Sequence, residues 1–145
     1  MALDVGDVRI GVALSDETGT LASGLVTLKA VGPRKDAQAL AALAREHGVG
    51  EVVVGLPLRL DGSLGSQAEK VVAFAERLRR VLRLPVVTRD ERLTSVAAGE
   101  RLAEAGVKRR QRKARLDQAA ATLILQEHLD ERRAAAVTSG GGDPA

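Results

Sequence analysis

The sequence predicts an α/β domain, a mixed five-stranded sheet with helices on both faces, and three observations carry that reading. The first thirty residues fall into short apolar segments separated by glycine-containing turns, the pattern of an antiparallel meander. Residues Glu51 to Leu56 (EVVVGL) form a β-branched run without polar alternation, as expected of a strand covered on both sides. Around that run, longer stretches repeat their apolar residues at helical spacing. The resulting order, βββαβαβαα, closes as helices layered on a mixed sheet.

Taken in order, Ala2 to Leu14 divides at Gly6-Asp7 into two strands joined by a tight turn. Gly19-Thr20 marks the next turn, and Leu21 to Ala30 is the third strand, supported by Val26, Thr27 and Leu28. From Pro33, the spacing of Ala37, Leu40, Ala41 and Ala44 predicts a first helix that Gly48 stops. EVVVGL is the fourth strand, closed by Gly55 and Pro57. After the turn Asp61-Gly62-Ser63, Ser66-Gln67-Ala68-Glu69 has capping-box form, and Ala68, Val71, Val72, Ala75, Leu78 and Leu82 make the apolar stripe of a second helix. Leu84 to Asp90 reads as the fifth strand. Thr94 is placed to cap a third helix that ends at Gly106. A basic loop follows, and a last helix runs from about Leu116 to Arg132. One domain therefore spans residues 1–133, and the tail 134–145, with Gly140-Gly141-Gly142, is expected to be disordered.

Composition narrows the chemistry. With 45% hydrophobic and 28% charged residues, the 145-residue chain can bury a core as a single domain. No apolar run reaches membrane-spanning length, and Met1 leads directly into a strand-like segment with no signal-type region, so the cytoplasm is the expected compartment. The absence of cysteine excludes disulfides, thiolate nucleophiles and cysteine-ligated metals. Only two histidines, His47 and His128, are present, so a metal would take oxygen ligands, as magnesium and manganese do. One phenylalanine, no tyrosine and no tryptophan leave little scope for stacking on bases. A polyanionic partner would be read through backbone and shape. Arg outnumbers Lys strongly, and Lys108 to Arg115 (KRRQRKAR) holds six cations in eight residues.

Three carboxylates stand where an ordinary fold would not put them. Asp4 interrupts the apolar strand ALDVG, where an unpaired charge costs several kcal/mol; it needs a partner, a cation or the turn at Gly6. Glu91 follows PVVTRD at the carboxyl end of a strand, where open α/β sheets place their crevices. Its neighbour Asp90 faces the other way, and alternation alone does not say which of the two joins Asp4. Asp117 precedes Ala120, Ala121 and Ile124 by three, four and seven residues, so it heads an apolar helical face. Each has a plain alternative: a turn, a salt bridge to Arg89 or Arg92, a favourable charge at a helix start. Together, carboxylates converging from two strands and a late helix suit one or two divalent ions that act on phosphorus.

At these residues the chain resembles the YqgF/RuvX family of ribonuclease H-like proteins, relatives of Holliday-junction resolvases. The resemblance runs from Met1 to about Glu131 through LDVGDVRIGVALSD, VVVGLPLRLDGSLGSQAEKV, VVTRDERLTSVAA and DQAAATLILQEHLD, in order and spacing. It implies the ribonuclease H-like fold, and it implies Asp4, Glu91 and Asp117 as ligands of Mg²⁺ or Mn²⁺, settling Glu91 over Asp90 by analogy. It also places Arg9, Gly55, Pro57, Arg92 and Thr94 at motif positions that shape the site or approach phosphate. One departure stands out: the acidic residue that the resolvase relatives place on the fourth strand is missing from VVVGLPL.

The family implies two substrates, four-way DNA junctions and the precursor of small-subunit ribosomal RNA. Either could be gripped through phosphates by Lys108, Arg109, Arg110, Arg112, Lys113 and Arg115. Resolving a symmetric junction would call for a homodimer, whereas trimming RNA would not. The reading is a metal-dependent endonuclease with no membrane association. The alternative is a nucleic-acid-binding or ribosome-assembly module that keeps the fold without turnover. An actin-like ATPase fits poorly, since it needs two lobes. Arg77, Arg79, Arg80 and Arg83 read as the polar face and end of the second helix, and His128, about 16 Å along the last helix from Asp117, is too far to share an ion.

Overall fold

The computed structural model describes residues 1–91 and 109–141, with side chains over 1–91 and 118–137. The helix expected between Thr94 and Gly106 lies outside these residues, as do Arg92, Thr94 and Lys108. Five strands, β1 (Ala2–Val5), β2 (Arg9–Ser15), β3 (Ala22–Lys29), β4 (Val52–Leu56) and β5 (Val86–Asp90), form one sheet in the order β3-β2-β1-β4-β5. β1, β2 and β3 are the predicted antiparallel meander, while β1-β4 and β4-β5 pair in parallel.

α1 (Pro33–Glu46) and α2 (Ser66–Leu82) cover one face, and α3 (Arg109–Gly141) covers the other. The parity of β4 shows why its sequence carries no polar alternation. Val52 and Val54 pack with Leu3, Leu40, Val71 and Leu78 under α1 and α2, whereas Val53 packs with Ala2, Ala13, Ala121 and Ile124 under α3. Small residues dominate the α3 side of the sheet and let that helix come close.

Helix ends follow local chemistry. Pro33 opens α1, where a missing N–H costs nothing, and Asp36 reaches back to accept the N–H groups of Val31 at 3.0 Å and Gly32 at 3.2 Å. Gly48 at φ 63 stops the helix in the left-handed region, as its sequence position predicts. α2 departs from expectation: its N-cap is Gly65 and no side-chain cap forms, so Ser66 is the first helical residue rather than the cap of a capping box. Its buried stripe takes in Phe74, and the predicted stripe member Val72 faces solvent.

The last helix also departs from expectation. The basic run predicted as a loop is helical from Arg109, because Arg, Lys, Gln and Ala are all strong helix formers and no Gly or Pro interrupts them. At its other end α3 continues to Gly141, past the domain boundary read at residue 133, and residues 134–137 are exposed.

Leu78 is fully buried where α2 meets the sheet. Leu78→Ala is expected to cost about 2–5 kcal/mol, read as a lowered urea midpoint at unchanged slope.

Candidate active site

Asp4 sits inside β1, not in a turn. It is directly opposite Gly11 of β2, and the turn that follows is closed instead by the Gly6 N–H donating to Arg9 O at 2.8 Å. Strand alternation puts Asp4 on the same face as Ala2, the face under α3. Gly11 opposite and Gly55 alongside give this half-buried carboxylate no bulky neighbour in the sheet. Gly55 is one residue beyond the Leu3–Val54 pair on each strand.

Glu91 reaches the same place from β5. Its backbone N–H donates to Leu56 O at 3.2 Å, which continues the β4-β5 ladder one residue past Asp90. Alternation along Val87, Arg89 and Glu91 then turns its side chain toward α3, while Asp90 is exposed. The Glu91 side chain folds back over Gly55: a Cβ placed on that glycine would lie 3.1 Å from Glu91 Cδ and 2.6 Å from Ile124 Cδ1. Only 7% of Glu91 remains exposed. Gly55 therefore interrupts a β-branched strand because the carboxylate of another strand occupies the volume of its side chain.

α3 runs antiparallel to β1, β4 and β5. Ile124 meets Gly55 near their carboxyl ends, and Leu125, His128 and Leu129 line a cavity with Met1, Val49 and Gly50 at their amino ends. Position 117 is two helical turns before Ile124, about 10 Å further toward the carboxyl edge where Asp4 and Glu91 sit. The side chain of Asp117 lies outside the described set, as do those of Arg109, Arg110, Arg112, Lys113 and Arg115. Among the described residues, no three His, Asp or Glu side chains gather to hold an ion. Asp4 and Glu91 are the two carboxylates that the described structure brings to the α3 face at this edge, whereas Asp7 and Asp36 lie at the same edge under α1 and α2. Arg9, at the first position of β2, is on the same face and half-buried.

Contacts that the sequence reading did not pick out fix α3 on the sheet. Gln118 donates to Thr27 Oγ1 at 2.9 Å and packs on Gly24, while Gln126 bridges Thr20 O and the Ala22 N–H. Arg89, two residues before Glu91, grips Glu131 through both terminal nitrogens at 2.7 Å and reaches Glu127 at 3.3 Å. That guanidinium holds the Glu131 carboxyl below its usual range, chiefly by hydrogen bonding. A depressed carboxylate contributes stability above its unfolded value, near 4.5, and the contribution is lost as pH falls through the folded value. The stability gap between the native chain and Arg89→Ala should therefore be widest near neutral pH and shrink toward pH 3, as read by urea unfolding at several pH values.

Both histidines lie at the opposite edge and line one cavity of about 900 Å³; His128 Nε2 is 2.7 Å from Glu51 Oε1, which also pairs with Arg132. Neither lies at the edge that holds Asp4 and Glu91.

With this geometry in place, comparisons with known proteins are specific. The family model described as "RuvX: Holliday junction resolvase" matches residues 1–131. A Moorella thermoacetica protein named "Putative pre-16S rRNA nuclease" is 54% identical over 130 residues, covering 90% of this chain and 93% of its own. A Chloroflexus aurantiacus protein of the same name is 49% identical over 133 residues, covering 92% and 87% respectively. The Thermus thermophilus RuvC structure superimposes with a TM-score of 0.51 at 15% identity, covering 91% of this chain and 94% of that one, so the two share the ribonuclease H-like fold. A match that spans nearly the whole chain, with identities near one half, shows that this chain belongs to the RuvX family.

Proposed function

We propose that this protein is a divalent-metal-dependent endonuclease that cleaves phosphodiester bonds in structured nucleic acid, with Asp4, Glu91 and Asp117 as the ligands of Mg²⁺ or Mn²⁺. The observation that carries this reading is the seating of the buried Glu91 carboxylate over Gly55, beside Asp4 on the same face of the sheet. Carboxylates brought together at low exposure disfavour each other's charged form, and a cation relieves that cost. The donor set is all oxygen, which suits hard divalent ions. The resolvase relatives place an acid on the fourth strand; here the space over that strand holds the carboxylate of Glu91 instead.

When bound, such an ion lowers the pKa of water and offsets charge developing at phosphorus. The chain's own groups do the rest. The Leu56 carbonyl and Gly55 hold Glu91 in one orientation, α3 screens the carboxylates from bulk water, and Arg9 stands on their face as a phosphate contact. The helical basic segment 109–115 strengthens the reading. Its six cations in eight residues, counted from Lys108, can hold phosphates independently of base sequence.

The relatives' names offer two substrates, a four-way DNA junction and the precursor of 16S rRNA, and a homodimer would serve the first. Purified protein incubated with each, with and without chelator, tests the proposal. Chelator-sensitive cleavage of either substrate supports it. Tight binding with no cleavage across several divalent ions would favour a ribosome-assembly or binding module instead.

A further inference from the structure

A cavity of about 650 Å³ opens at the same carboxyl edge, but on the face under α1 and α2. Its floor includes Val5 and Phe74, its rim includes Gly6 at the end of β1, and α2 presents Lys70, Ala73, Arg77 and Arg80 along one wall. Those four positions follow at intervals of three, four and three, so they form one stripe about 15 Å long, with a small residue in its middle.

The charges are unevenly satisfied. Lys70 Nζ lies 3.9 Å from an Asp7 oxygen, and the Asp36 carboxylate is engaged by the Val31 and Gly32 N–H groups. Arg79 on the same helix donates to Val86 O and pairs with Glu76. Arg77 and Arg80, by contrast, make no ion pair or hydrogen bond among the described residues, although Arg77 is half-buried in the cavity wall. Two like charges three residues apart on a helix repel, and among the described residues no carboxylate pairs with either of them.

We propose that this cavity is a second phosphate-binding track, in which Arg77 and Arg80 hold the sugar-phosphate backbone of the nucleic acid whose scissile bond lies over Asp4 and Glu91. β1 ends between the two places: Asp4 faces α3, and Val5 faces the cavity. A strand leaving the carboxylates over Gly6 would enter the cavity within a few residues' distance. Guanidinium groups suit it because they make paired contacts to phosphate, and the contacts would be independent of base sequence. This inference rests on the nuclease reading for the identity of its ligand, but not on turnover.

The test is binding of a fluorescent four-way DNA junction and of a precursor 16S rRNA leader fragment, with chelator present so that nothing is cut. Arg77→Gln with Arg80→Gln should weaken binding of at least one probe about tenfold or more near 0.1 M salt. The slope of log K against log salt should also become shallower by roughly 0.7–0.9 for each arginine removed. Arg45→Gln, at the far end of α1, should leave both unchanged. Affinity and slope unaltered in a folded double variant, or no binding of either probe by the native chain, would overturn the proposal. If the native chain binds the probes and the double variant behaves as expected here, but neither substrate is cut when divalent ions replace the chelator, that counts against the nuclease reading alone.

Discussion

Asp4→Asn is expected to leave a folded protein that binds nucleic acid and cuts it at least about a thousandfold more slowly. A bound ion supplies several kcal/mol of stabilisation to a charged transition state, and each 1.36 kcal/mol lost is a factor of about ten. Asparagine keeps the shape of the side chain opposite Gly11 and removes only its charge, so the strand should persist. The same substitution makes a thermodynamic prediction. An ion that binds only the native state raises its stability by RT ln(1 + [L]/Kd), so millimolar Mg²⁺ or Mn²⁺ should raise the Tm of the native chain and barely move that of Asp4→Asn. Glu91→Gln should behave alike, because its carboxylate shares the face. Full activity in either variant, measured on junction and precursor RNA, would remove the assignment.

The route from sequence to this site was open in some places and closed in others. Local rules reached the elements: period-two and period-3.6 spacing, the stop at Gly48 and the start at Pro33 depend on a few adjacent residues. β4 was legible because burial on both faces leaves an apolar run that nothing else explains. The strand interior position of Asp4 was legible for the opposite reason, a charge among apolar neighbours. What could not be read depends on partners distant in sequence. Alternation separates Asp90 from Glu91 but does not say which face the helix covers; the extra Glu91–Leu56 hydrogen bond and the helix packing decide that. Val72 and Phe74 differ by half a helical turn, and only the seat of α2 on the sheet selects the aromatic residue. The basic run looked like a loop because its charge suggests solvation, yet its intrinsic propensity is helical. Arg89 had a choice of carboxylates in sequence, and the register of α3 assigned it Glu131 and Glu127 rather than Glu91. The glycine of EVVVGL reads in sequence as the close of the strand; it lies within β4 instead, and its meaning needed the residue that approaches it.

Gly55→Ala should therefore be the most informative single methyl group in the molecule. The backbone at Gly55 is ordinary strand, so the substitution brings no conformational penalty of its own; the whole effect comes from the two groups the new Cβ would strike. Ile124 can yield by rotating its terminal methyl, but the Glu91 carboxylate is confined between Gly55, Ile124 and its own backbone anchor on Leu56. The expected cost is about 1–3 kcal/mol of stability, as for other overpacked cores, together with a loss of cleavage of about a hundredfold, the scale on which displacing a reacting group by about 1 Å acts. A second substitution separates the two effects. Removing the obstructing side chain with Glu91→Ala in the Gly55→Ala background should recover most of the stability while activity stays lost, because the volume is freed and the ligand is gone. In a double-mutant cycle the two positions would then be coupled in stability, with the pair costing less than the sum of the single changes. Additive stabilities would mean that Glu91 does not occupy the space over Gly55 in solution, and the acid at this edge of the sheet would have to come from elsewhere in the chain.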